Sequence, residues 1–150
     1  RAIVGYQPYT RTMSDALLGR IDVPTLLVVG TADTTTPPEV DVDRPWALLR
    51  ASPVWRLDLK GAGHQACTDV ALYAELAKHI KGLPPIVTDY LTATAEGTAV
   101  VGTRTWRQLL AVQVEATWAF LQIVLGIDPD VGAAAADRLE DAVGLVLRRR

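Results

Sequence analysis

Residues Thr25-Leu26-Leu27-Val28-Val29-Gly30 form an unbroken apolar run of strand length. Side chains alternate to the two sides of a strand, so such a run needs cover on both faces. That is the situation of a central parallel strand between helical layers. A second run, Val54-Trp55-Arg56-Leu57-Asp58-Leu59-Lys60, alternates instead. Trp55, Leu57 and Leu59 face one way and Arg56, Asp58 and Lys60 the other, which predicts one solvated face and a place near a sheet edge. Between the two, Pro37-Pro38-Glu39 opens a helix expected to reach about Ala51, where Ser52-Pro53 stops it. Strand, helix and strand make a βαβ unit. Its right-handed crossover sets the strands parallel and brings both trailing loops to the same end of the sheet.

Upstream, Ala2 to Tyr6 reads as a short buried strand stopped by Pro8, and Met13 to Arg20 as a short helix or turn. Downstream the pattern turns helical. Thr68 or Asp69 caps a helix with Leu72, Tyr73, Leu76 and Ile80 on one face, and Gly82-Leu83-Pro84-Pro85 breaks it. Residues 86–103 have no clear period. A long helix is expected from about Arg104 to Leu125, with Trp106, Leu110, Val114, Trp118, Leu121 and Leu125 on one stripe and Gly126 as its stop. A last helix is expected from about Val131 to Leu147, bearing Leu139, Val143 and Val146. The four tryptophans, Trp46, Trp55, Trp106 and Trp118, sit at core spacings.

A length of 150 residues suits one domain, and 49% hydrophobic with 21% charged residues is ordinary for a globular chain. The net charge of −2 gives no electrostatic footprint for nucleic acid. Arg148-Arg149-Arg150, placed after the expected last helix, complements the negative end of its dipole. Gln113, Glu115 and Gln122 leave too short an apolar run for a membrane span. With Cys67 as the one cysteine, no internal disulfide can form. The compartment stays open between cytoplasm and exterior.

Chemistry gathers where the two strands end. Gly30-Thr31-Ala32-Asp33 closes the first run, and Gly61-Ala62-Gly63-His64 closes the second, 31 positions on. The βαβ geometry therefore brings an acid and an imidazole out side by side at the carboxyl edge, where open α/β sheets build their sites. Imidazole titrates near neutrality and can relay a proton, and a carboxylate on its other nitrogen fixes the tautomer. Asp33 taken alone could as well satisfy backbone amides of the Thr34-Thr35-Thr36 loop. His79, beside Lys78 and Lys81, reads as a solvated surface residue. Cys67 reads as a small buried hydrophobe rather than a nucleophile.

The order Ala2-Ile3-Val4-Gly5-Tyr6-Gln7-Pro8, then Ile21-Asp22-Val23-Pro24 leading into Thr25 to Asp33, then Gly61 to His64, resembles the C-terminal half of an α/β-hydrolase. It is closest in flavour to the dienelactone hydrolase and platelet-activating-factor acetylhydrolase-like branch, and similar also to cutinase-like polyesterases. The likeness covers roughly residues 1–69, with Val114 to Gly126 similar to the family's closing helix. The fold class it implies is α/β: parallel strands with flanking helices and a helical C-terminal region. Residues 1–126 would form the C-terminal half of the hydrolase domain, with 82–103 an insertion or lid and 127–150 a helical extension.

The resemblance further implies a catalytic triad with Asp33 as acid and His64 as general base, acting on a small-molecule or lipid ester without metal or cofactor. In this fold the order is nucleophile, acid, histidine. The chain holds no Gly-x-Ser-x-Gly, so the serine is expected upstream of Arg1, on the order of 15 to 30 residues away. The missing N-terminal half, as a second chain or a covalent upstream segment, is then the expected partner. Tyr6, Gln7 and Tyr9, at the end of the first strand, are the candidate substrate-binding residues. In the polyesterase-like relatives an aromatic at this point contacts substrate, which singles out Tyr9, with ordinary loop packing as its alternative. A non-serine nucleophile, as in dienelactone hydrolases or dehalogenases, and a non-catalytic interaction protein are the competing readings. Retention of both Asp33 and His64 argues against the second.

Overall fold

A computed structural model describes residues 1–96 and 105–150. Its centre is a four-stranded sheet in the order β1 (Ile3–Tyr6), β2 (Thr25–Gly30), β3 (Val54–Leu59), β4 (Leu145–Arg149). The first three strands run parallel and β4 is antiparallel to β3. The chain is thus mixed α/β, with a mostly parallel sheet and flanking helices. Every residue of β2 is buried, as the continuous apolar run requires. Leu26 and Val28 enter one core layer, and Leu27 and Val29 the other. At roughly 2 kcal/mol for each fully buried aliphatic side chain, this one strand ties both layers to the sheet.

The smaller layer lies under α1 (Asp15–Leu18), α2 (Pro38–Asp41) and α3 (Asp43–Leu48). The single helix expected from Pro37 to Ala51 is two short ones. The chain leaves helical geometry at Val42 (φ −126°), and Pro45, in the first turn of α3, lacks the N–H that continuous helix would need there. Val42 itself is fully buried against Leu27, Val29, Leu49 and Val54.

The larger layer is built by α6 (Trp106–Val124) and α7 (Pro129–Glu140). Thr105 and Gln108 form a reciprocal capping box at the start of α6, and Gly126 (φ +64°) ends it as expected. The buried face, however, is Leu109, Val112, Gln113, Ala116, Ala119 and Phe120. Of the expected stripe, Leu110, Val114, Trp118 and Leu125 are exposed. Small residues decide this. Ala119 lets α7 approach so closely that a Cβ on Gly132 would sit 2.8 Å from the Ala119 carbonyl oxygen. Phe120 then meets Trp55 edge-on, ring centroids 5.4 Å apart. Trp55 is therefore core, whereas Trp46 and Trp106 are half-buried and Trp118 is exposed.

The helix α4 (Val70–Ala77) likewise buries Ala71, Ala74 and Ala77, leaving Tyr73, Leu76 and Ile80 outside. The segment without clear period contains most of α5 (Pro85–Glu96), packed against α4, and residues 97–103 lie outside the described residues. No helix among the described residues is long and apolar enough to cross a membrane.

Two expectations about β3 and the C-terminus are corrected together. The last helix stops at Glu140, and Gly144 (φ +80°) turns the chain into β4. Residues 127–150 are therefore not a helical extension, because Leu145 and Leu147 enter the main core. β3 is consequently internal, and its polar face is buried rather than solvated. Arg56 and Asp58 are both nearly inaccessible, with Arg56 Nε 2.6 Å from Asp58 Oδ1 and its other end on Asp43 of α3. Arg148 adds a 3.2 Å contact to Asp58. The three terminal arginines do not follow directly on the last helix as expected, and the helix end that one of them meets is that of α3, where Arg150 donates to Trp46 O and to Leu49 O (2.7 Å). Arg149 pairs with Asp137 and Glu140, and Arg150 lies over the Trp46 ring.

Breaking the buried pair is expected to be costly because Arg56 keeps its charge inside the fold. Asp58→Ala should lower the unfolding free energy by about 3 kcal/mol. Arg148→Ala, at a side chain half exposed to water, should cost under about 1 kcal/mol. Urea denaturation of the two variants checks the ranking.

Candidate active site at the carboxyl edge

Gly30 ends β2, and the chain then folds onto the loop leaving β3. Thr31 N donates to Leu59 O (3.0 Å), Ala32 N donates to Ala62 O (2.9 Å), and Gly61 N donates to Thr31 Oγ1 (2.8 Å). The two loops meet because Gly30 has no side chain. A Cβ there would overlap the Ala62 carbonyl oxygen and lie 2.8 Å from its carbon. After Gly63 the chain makes one 3₁₀ turn, His64–Cys67. Gln113 of α6, itself buried, donates to Ala66 O at 2.8 Å and anchors that turn from the core side.

These contacts bring the two predicted residues together. His64 Nδ1 lies 2.8 Å from Asp33 Oδ2, at the carboxyl ends of adjacent parallel strands. The carboxylate is wholly buried, while the imidazole is 30% exposed. Asp33 makes local and long-range contacts at once, one set on each oxygen. Oδ1 accepts from Thr35 N (2.8 Å) and Thr36 N (2.9 Å), closing its own loop, and Oδ2 serves the imidazole.

Thr36 completes the arrangement. Its hydroxyl donates to Asp33 Oδ2 at 2.5 Å, so its oxygen presents lone pairs to His64 Nδ1 at 3.2 Å. Both neighbours of Nδ1 are then acceptors, which assigns a proton to Nδ1, so that in the neutral ring Nε2 is the nitrogen with the free lone pair. Nε2 has no hydrogen-bond partner among the described residues. Burial pushes the Asp33 carboxyl up, but hydrogen bonds from the Thr36 hydroxyl and amide, His64 and the Thr35 amide outweigh it. The group is held below the usual carboxylate range.

The three residues expected to meet substrate differ among themselves. Tyr9 is exposed, with the Arg11 guanidinium 4.9 Å from its ring centroid. Tyr6 turns its hydroxyl to Thr117 of α6. Gln7 is buried, with its amide spent on Gly63, His64 and Gly30. Cys67 is largely buried, and that burial pushes its thiol up to about 12, so it is no thiolate at neutral pH. His79 is exposed.

The remaining scaffold was not foreseen in the sequence. Fully buried Asp41 accepts from Thr10 N and Arg11 N at 2.9 Å and pairs with the Arg11 side chain, which reaches on to Thr35 O at 3.0 Å. This cluster pins the loop after β1 to the loop carrying Asp33. A buried aspartate in a helix-starting segment gives no signal of its own, since only the fold shows which arginine it meets. Among the described residues no group of three or more His, Cys, Asp or Glu side chains could hold a metal ion.

No protein-family model matches this chain, and no curated protein matches it.

Two outcomes are expected from this geometry. Gly30→Ala should force the loops apart, costing about 1–3 kcal/mol in stability and lengthening the Asp33–His64 contact, as a crystal structure of the variant would reveal. Because the Asp33 carboxyl is held below its unfolded value, the unfolded chain binds more protons through the acid range, and stability rises with pH there. Wild type should therefore exceed Asp33→Asn in stability at pH 7, and the gap should narrow as pH falls through about 4 and below. Chemical denaturation at stepped pH measures it.

Proposed function

We propose that the Asp33–His64 pair is the acid and general base of an ester-cleaving serine hydrolase of the α/β class, with the nucleophile contributed by sequence preceding Arg1. The single observation that carries this reading is the 2.8 Å contact at the carboxyl edge, with Nδ1 on a buried carboxylate and Nε2 without a partner among the described residues. A base so placed takes the proton from an attacking hydroxyl and returns it to the leaving alcohol, while Asp33 stabilises the imidazolium between the two steps.

Two features support the incomplete part of the reading. Among the described residues β1 pairs only with β2, which leaves its outer edge available to one more parallel strand. Thr25 to Val29, by contrast, is paired on both sides, so the edge to be covered is that of β1. Beside that edge, Tyr6 reaches Thr117, and the neighbouring outer face of α6 exposes Val114 and Trp118. A strand and helix docking there would cover both and bring a serine elbow to the same end of the sheet as His64. Tyr9, exposed at that end, is the residue best placed to border the substrate. The high-held Cys67 thiol speaks against a cysteine nucleophile from within the chain.

The test is hydrolysis of a short-chain p-nitrophenyl ester by residues 1–150 alone and by the chain joined to its upstream sequence. The longer protein should be active, His64→Ala should lower kcat by about 10⁴-fold, and Cys67→Ala should leave it within a few-fold. Robust His64-dependent turnover by residues 1–150 alone would place the nucleophile within them and overturn the shared-site reading.

A further inference from the structure

We infer that Gln7 is the positioning residue of the Asp33–His64 pair, holding the histidine loop to the end of β2 through its side-chain amide. The inference rests on the acid–base reading of that pair. It starts from the backbone. Gln7 is the one non-glycine among the described residues with positive φ (+47°), a conformation that favours glycine. Its N–H still donates to Val28 O at 2.8 Å, as the next rung of the β1–β2 ladder. In a parallel ladder a residue that donates to position 28 accepts at its own carbonyl from the N–H of position 30. Here that bond goes to the side chain, with Gly30 N donating to Gln7 Oε1 at 3.3 Å. The amide thus replaces the residue's own carbonyl at the point where the chain turns out of the sheet.

The other end of the same amide crosses to the third loop. Nε2 donates to Gly63 O at 3.1 Å and to His64 O at 3.2 Å. Gln7 therefore joins the ends of β1 and β2 to the two residues that carry the imidazole, and it is buried while doing so. Gly30, at which it grips β2, is also the residue whose missing side chain lets the histidine loop approach. A side chain committed in this way cannot turn outward to a substrate. Gln7 thereby leaves the set of substrate contacts and joins Thr36 as a residue that acts through His64. Gln7 thus takes a left-handed backbone that is unfavourable for a side chain, and its amide makes three hydrogen bonds there.

The chain has two histidines, His64 and the exposed His79, so ¹⁵N-histidine labelling gives two ring systems with a built-in reference. At pH 9, where free imidazole is neutral, the ¹⁵N shifts of wild-type residues 1–150 should show His64 fixed in the Nδ1–H tautomer. Gln7→Gly keeps the turn, since glycine accepts the positive φ, and deletes the amide together with its two methylenes. The His64 pattern should then collapse toward that of His79 while circular dichroism remains that of the wild type. Gln7→Met, which keeps the length of the side chain, should behave in the same way if the glycine variant does not fold. A fixed Nδ1–H tautomer surviving in a folded Gln7 variant would overturn the assignment. Absence of that tautomer from wild type would overturn both it and the acid–base pair. Loss of the tautomer in the variants, with no ester hydrolysis in any form of the protein, would leave Gln7 as the positioning residue and sink the hydrolase reading alone.

Discussion

The close approach of Gly30 to the Ala62–Gly63 backbone is the constraint on which the site depends. Strand register brings β2 and β3 to the same height, but register alone leaves neighbouring strands nearly 5 Å apart and their loops free to diverge. With no Cβ at Gly30, the second loop settles over the end of β2, where Ala32 N reaches Ala62 O. Asp33 and His64 follow within three residues and two residues of that contact. The 2.8 Å separation between their side chains is thus inherited from a backbone packing event.

The carboxylate of Asp33 shows how one buried group can serve two purposes without conflict. Burying an unpaired carboxylate would be prohibitive, so its oxygens need donors from the protein. The Thr34–Thr36 loop satisfies Oδ1 with two backbone amides, and the Thr36 hydroxyl and His64 satisfy Oδ2. The loop therefore keeps the charge in place however the imidazole moves. The same logic recurs at Asp41, whose amide donors and Arg11 hold the neighbouring loop rigid. Two buried aspartates, each closing a loop, frame the histidine.

The far side of the sheet relies on charge in a different way. Arg56 and Asp58 alternate with Trp55, Leu57 and Leu59 on β3, yet all five are buried. Arg56 is neutralised along its own strand by Asp58 and across the layer by Asp43, while β4 supplies backbone pairing and a third contact through Arg148. The polar face of this strand is consequently an internal seam between the sheet and α3. It offers apolar surface to neither water nor a partner.

The sequence by itself determined the parts set by short-range chemistry. The apolar run of β2, the alternation of β3, and the glycine turns after each are enough to put Asp33 and His64 at one edge of the sheet. The stop at Gly126 was legible for the same reason, because a helix end is a local event. What only the tertiary structure decided is which face each helix buries, where the chain re-enters the sheet, and what surrounds the pair. Apolar periodicity pointed to Trp118 and Leu110 on α6, yet alanines allow closer packing, so the Ala116–Ala119 face went inward. Gln7, Thr36 and Gln113 carry no pattern in the sequence, since a hydrogen-bond partner 28 to 56 positions away leaves no mark on a residue's neighbours. β4 was hidden because Leu145-Val146-Leu147 suits helix or strand alike, and the open edge of β3 made the choice.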